Sequence, residues 1–152
     1  MRRIVTGHDD IGQSVIASDE EVAGHQLQRN ADSTFFQVWA THEMPVALTD
    51  EAMMRQREGS SSIALETGSG SVLRLGVLGA GTSSPMHRTK SLDYGVCLEG
   101  ECEMELDGGQ VVTVRAGDVV VQRGTNHAWH NRSTKPCRFV WILLDAEPTT
   151  AG

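Results

Sequence analysis

The stretch Glu101-Cys-Glu-Met-Glu-Leu106-Asp-Gly-Gly109-Gln-Val-Val-Thr-Val-Arg115-Ala-Gly117-Asp-Val-Val-Val-Gln122 decides the fold. Its first six residues alternate strictly. Cys102, Met104 and Leu106 are apolar, while Glu101, Glu103 and Glu105 are charged. A period of two marks a strand with one face on a core and the other in water. Asp107-Gly108-Gly109 then turns the chain, and Gln110 to Arg115 returns as the hairpin partner. Ala116-Gly117-Asp118 turns it again into Val119–Gln122.

The same punctuation extends in both directions. Twelve of the 16 glycines fall between Gly59 and Gly124, where they separate short apolar runs. Consecutive short strands with glycine turns read as an all-β sandwich or barrel. Further strands are expected at Arg2–Thr6, Ser14–Ser18, Phe35–Thr41, Ser62–Leu65, Ser71–Leu78, Leu92–Leu98, Ala128–Asn131 and Cys137–Leu144. One short helix is expected over Glu51–Glu58, capped by Thr49 or Asp50 and ended by Gly59. Residues 20–33 and 145–152 read as polar loop and tail.

Leu92–Leu98 and Phe139–Leu144 are apolar on both faces, unlike a strand with one face in water. Something must cover the outer face. The candidates are the N-terminal strands, a second subunit, or both. A two-fold homodimer is the simplest partner.

Composition narrows the function classes. The chain has 152 residues, 13 Lys+Arg against 20 Asp+Glu, and a formal net charge of -7. An acidic chain without a basic run is a poor nucleic-acid binder. The longest apolar stretch, Phe139–Leu144, is far short of the roughly 20 residues of a membrane span. No apolar segment follows the basic N-terminus, so no secretory signal is expected. Cys97, Cys102 and Cys137 lack C-x-x-C spacing. They read as buried or half-buried thiols in a reducing compartment, the cytoplasm. No glycine-rich nucleotide motif is present, which argues against NAD or ATP.

Six histidines are present. His87 and His127 stand out by their surroundings. On a strand His87, Thr89 and Asp93 share one parity, and His127, Trp129 and Asn131 share another, with His130 pointing away. Gly95 and Cys97 continue the inward parity of Asp93.

The two segments resemble the paired motifs of the cupin superfamily. Gly81 is followed by five residues and His87, Thr89 stands at the second histidine, Asp93 at the glutamate, and Gly100 closes the first motif. Gly124, His127 and Asn131 match the second motif, with Gln122 in place of its usual proline. The opening Arg2–Asp9, Ser91–Tyr94 and Gln122–Trp129 look like one subgroup of small single-domain cupins, found in bacteria and in fungal secondary-metabolite clusters. The resemblance implies a double-stranded β-helix, or jelly-roll barrel, with one short helix. It also implies one cupin domain: N-terminal strands and arm over about residues 1–60, barrel over about 61–145, and tail over 146–152.

The resemblance further implies a divalent metal, Fe, Zn or Mn, held by His87, Asp93 and His127. Thr89 in the fourth place is a poor ligand and leaves a position open. Thr89, Gly95, Cys97 and Trp129 are the expected pocket residues, Trp129 as a flat apolar wall and the small Gly95 and Cys97 as room. Such a site would polarise a carbonyl, carboxylate or enolate oxygen of a small molecule. Isomerisation, dehydration, decarboxylation or dioxygenation would follow. The alternatives are a non-catalytic ligand-binding barrel and a metal-free acid–base cupin using His87 with Asp93.

Overall fold

A computed structural model describes residues 1–27, 30–49 and 70–147, with side chains left undescribed at 27, 30 and 31. The expected Glu51–Glu58 helix, its Asp50 cap and the Ser62–Leu65 strand lie outside the described residues, as do residues 148–152 of the tail. Along the chain run β1 (Arg2–His8), β2 (Ser14–Glu21), β3 (His25–Leu27), β4 (Asn30–Thr41), β5 (Ser71–Leu78), β6 (Ser91–Glu99), β7 (Glu101–Leu106), β8 (Val111–Arg115), β9 (Val119–Arg123), β10 (His127–His130) and β11 (Cys137–Asp145). The architecture is the expected jelly roll. A six-stranded sheet ordered β3-β4-β5-β11-β6-β9 faces a three-stranded sheet ordered β10-β7-β8, and β1–β2 form a separate hairpin.

The alternation in Glu101–Leu106 does what its period requires. Cys102 is buried against the core, and the glutamates face outward. Those glutamates are each paired: Glu101 with Arg115 (3.3 Å), Glu103 with Arg132 (2.7 Å) and Glu105 with His130 (2.9 Å). His130 accordingly lies on the outer face. The β7–β8 turn is a single 3-10 turn, Asp107–Gly109.

Residues 20–33 hold more structure than the polar sequence suggests. β2 runs on to Glu21, β3 forms at His25–Leu27, and β4 begins at Asn30. Main-chain pairing with β4, not an apolar face, makes β3 a strand. At the other end, Asp145 completes β11.

Register builds the barrel interior in layers. Across the large sheet one inward layer is Phe35, Gly76, Phe139 and Cys97. The next is Gln37, Arg74, Trp141, Gly95 and Val120, and the third holds Val72, Leu143, Asp93 and Gln122. The small sheet answers with Cys102 and Val114, then Met104 and Trp129, then Leu106 and His127. Glycines in these layers seat the rings of adjacent strands. A Cβ on Gly95 would lie 2.3 Å from the Trp141 ring, and one on Gly76 would lie 2.9 Å from Phe35. The room expected at Gly95 is therefore filled by Trp141.

One end of the barrel is a dry core. Cys97, Cys102, Val114, Trp129, Cys137 and Phe139 are all buried there. Trp141 stacks on Phe139 at 5.0 Å, and Trp129 meets both rings at 5.0–5.1 Å. Gly100, at the β6–β7 turn, has φ 75°, and a Cβ there would stand 2.7 Å from the Pro136 carbonyl. Only glycine accommodates both. Asn131 ties the loop at this end. Its amide donates to the carbonyls of Leu78 and Lys135, both at 2.9 Å, and its oxygen accepts from Ser133.

On the outer side of the large sheet, register lines up Val121, Tyr94, Ile142 and Leu73, then Val119, Val96, Val140 and Leu75. Val119 and Val121 are 62% and 58% exposed.

Candidate functional site

The arm before β6 carries His87 back across the barrel to β10. His87 and His127 exchange two main-chain hydrogen bonds, both 2.9 Å, as an isolated bridge. Ser83 bridges to His130 in the same direction, and the Ser84 hydroxyl accepts from the Trp129 amide at 2.8 Å. The bridge places the two imidazoles side by side, their centroids 4.3 Å apart and their planes 51° apart. His127 is buried, while His87 is exposed.

Each ring has one nitrogen tied down. His87 Nδ1 donates to the Pro85 carbonyl and His127 Nδ1 to the Thr125 carbonyl, both at 2.9 Å. A carbonyl only accepts, so each Nδ1 carries a proton, and in the neutral form of either ring the lone pair is on Nε2. Burial holds the His127 pKa below the ordinary histidine value, and neighbouring His87 adds to the effect. His127 is thus held in its neutral form at neutral pH.

Asp93 looks elsewhere. Its carboxylate accepts from Ser91 Oγ on one oxygen, and on the other from Thr89 Oγ1 at 2.9 Å and Gln122 Nε2 at 3.0 Å. Arg74 is buried nearby and interacts with Asp93 electrostatically. Burial raises the Asp93 pKa, against the pull of these donors and of Arg74. The Arg74 guanidinium is itself disfavoured by burial and supported by Asp93.

These contacts test the expected metal set. His87 and His127 fit: each has its Nδ1 on a carbonyl, as ligating histidines commonly do. The Asp93 oxygens accept from Ser91, Thr89 and Gln122. Among the described residues no group of three His, Cys, Asp or Glu side chains is placed to hold a metal ion. The ring beside His87 in this structure is that of His127.

The expected pocket residues divide. Thr89 is bonded to Asp93. Trp129 stands edge-on to His127 at 6.5 Å and leans on the core rings. Gly95 is covered by Trp141, and Cys97 is 1% exposed. The Cys97 thiol is pushed up to about 12 by burial and by Cys137, whose sulfur lies 3.8 Å away. A thiol so disposed is core, not nucleophile.

Sequence reasoning missed Arg74 and Gln122 as interior groups. Arg74 shares parity with buried Val72, and Gln122 with Val120, so strand period alone carried the signal. Charge on Arg74 argued the other way.

Comparison with known proteins places these features in context. Residues 74–143 match the Cupin_2 family, described as a cupin domain. The cupin-domain-containing oxidoreductase virC of Hypocrea virens is 35% identical over 149 residues, 96% of this chain and 76% of that protein. Phomopsin biosynthesis cluster protein D of Diaporthe leptostromiformis is 40% identical over 151 residues, again 96% of this chain and 79% of the relative. Among solved structures, the polyketide cyclase RemF of Streptomyces resistomycificus superposes with TM-score 0.56 at 19% identity. That match covers 85% of this chain and 78% of the cyclase, a likeness of fold.

Proposed function

The chain belongs to the cupin family, and from that premise we propose that it is an enzyme of secondary metabolism whose reacting centre is the His87–His127 pair. The substrate is a small organic molecule with a carbonyl or carboxylate. The single observation that carries the reading is the pair itself: two adjacent imidazoles, each with Nδ1 fixed on a carbonyl and Nε2 left as a base. The cluster origin of the relative from Diaporthe leptostromiformis supports the metabolic setting.

The chemistry follows from the residues. His127 Nε2 takes a proton from an acidic C–H or O–H of the substrate. Its low basicity, set by burial, keeps it unprotonated until that moment. His87, exposed beside it, relays the proton to a second atom of the same molecule or to solvent. Returning it to carbon is an isomerisation; returning it to a departing hydroxyl is a dehydration. Trp129 backs His127 with an apolar surface, which suits a ring or alkyl group.

A second reading has its own observation. The two free Nε2 atoms suit a divalent cation, Fe, Zn or Mn, which would need a third ligand other than Asp93 as it is bonded here.

The test starts from the host. Deleting the gene and profiling small molecules identifies the compound that accumulates. Purified protein should consume that compound in the presence of a chelator, and His127→Ala and His87→Ala should not. Unchanged turnover in both variants would overturn the reading. Activity abolished by the chelator and restored by a metal would favour the cation instead.

A homodimer is part of the same proposal, supported by the apolar rows on the outer face of β9, β6 and β11. Sedimentation should give twice the chain mass, and a clean monomer would count against it. The three free cysteines support a reducing, cytoplasmic setting.

A further inference from the structure

Asp93 stands at the position that the family resemblance gives to a carboxylate ligand. We infer that Asp93 is a positioning residue, which through Thr89 holds the arm bearing His87 at the distance from His127 that the pair requires. This rests on the pair being the reacting centre.

The arm has tethers upstream of His87 and at it. Ser84 accepts from Trp129, Ser83 bridges to His130, and His87 exchanges two bonds with His127. Downstream, the arm must turn from this crossing into β6, which begins at Ser91. There Thr89 reaches down to Asp93, four residues on, at 2.9 Å. Asp93 is 3% exposed and anchored on two further sides, by Ser91 at the start of β6 and by Gln122 on β9. The carboxylate therefore joins three segments: the arm, β6 and β9. Thr89 lies two residues from His87, so a hydroxyl in the place of a ligand histidine becomes a strut.

Gln122 strengthens the assignment. Its Nε2 donates to Asp93, which fixes the amide orientation, and its Oε1 is buried with no hydrogen-bond partner among the described residues. Leaving a buried acceptor unmet costs roughly 1–3 kcal/mol. Keeping the amide there is consistent with Asp93 needing its third donor.

The experiment uses proton NMR of the full chain, reading the cross-peak between the His87 and His127 ring protons. Thr89→Val removes the hydroxyl with little change of shape; Thr89→Ser keeps it. The expected result is a cross-peak present in the wild type and in Thr89→Ser and lost in Thr89→Val, with all three folded. A cross-peak of unchanged strength in Thr89→Val, or its loss in Thr89→Ser as well, would overturn the inference. Titration with Zn²⁺ supplies a second arm. Zinc bound by the wild type, kept by Thr89→Val and lost in Asp93→Asn would make Asp93 a ligand and also overturn it. If the histidine variants keep full activity, the proposed function falls while the cross-peak result still decides the strut.

Discussion

The two ends of the barrel are built from the same strands and have opposite chemistry. At the closed end, β6, β7 and β11 supply Cys97, Cys102, Cys137 and Phe139, all at most 2% exposed. At the other end, the same β6 supplies Asp93, and β10 and the arm supply His127 and His87. Moving four residues along β6 exchanges a thiol in an aromatic core for a carboxylate with three donors. The difference teaches how a small domain separates its tasks. Burial of apolar groups stabilises the fold at one end, so the other can hold polar groups in costly arrangements. Each of those groups is held by bonds specific to it.

That contrast can be broken most severely at the closed end. Phe139→Ala removes a ring that is 0% exposed. It should cost about 3–5 kcal/mol in urea unfolding. Gly95→Ala forces a Cβ to 2.3 Å from Trp141. It should cost about 1–3 kcal/mol through overpacking, read as a lower Tm. Against these, His87→Ala at the exposed mouth should change stability by no more than about 0.5 kcal/mol. A large loss there would mean the mouth also carries the fold.

Reactivity and pH sharpen the same comparison. With its thiol pushed up to about 12 and its sulfur buried, Cys97 should resist iodoacetamide in the native protein near neutral pH and react once unfolded. Mass spectrometry of the alkylated peptides checks this. At the mouth, the folded pKa of His127 lies below its unfolded value near 6.5. The unfolded chain then binds more protons between those two values. His127 should therefore leave stability flat above pH about 6.5 and lower it as pH falls below that value. Comparing wild type with His127→Gln in urea melts across this range isolates the contribution.

How far the sequence carried differs between regions for physical reasons. The β7–β8 hairpin was legible because a strict period of two and a glycine turn are local signals. The inward set on β6 was legible from parity. β3 was not, since its three residues, His25–Leu27, are held by pairing with β4 and not by an apolar stripe. The filling of the space above Gly95 depends on cross-strand register with Trp141, which no single segment encodes. Arg74 was hidden because its charge signals an exposed position, and the Asp93 charge that supports the buried guanidinium comes from a strand that β11 separates from it. For the site, spacing identified His87 and His127 as notable, but the direction in which Asp93 bonds is a property of the folded arm.

The most direct test of the account is the protonation of the two imidazole rings at neutral pH, read by nitrogen-15 NMR of the histidine side chains. His127 is expected to carry its proton on Nδ1 with Nε2 unprotonated, and the His87 Nδ1 is expected to be protonated toward the Pro85 carbonyl. Rings protonated at Nε2, with Nδ1 bare, would contradict it, because neither histidine would then present the base on which the proposed chemistry depends.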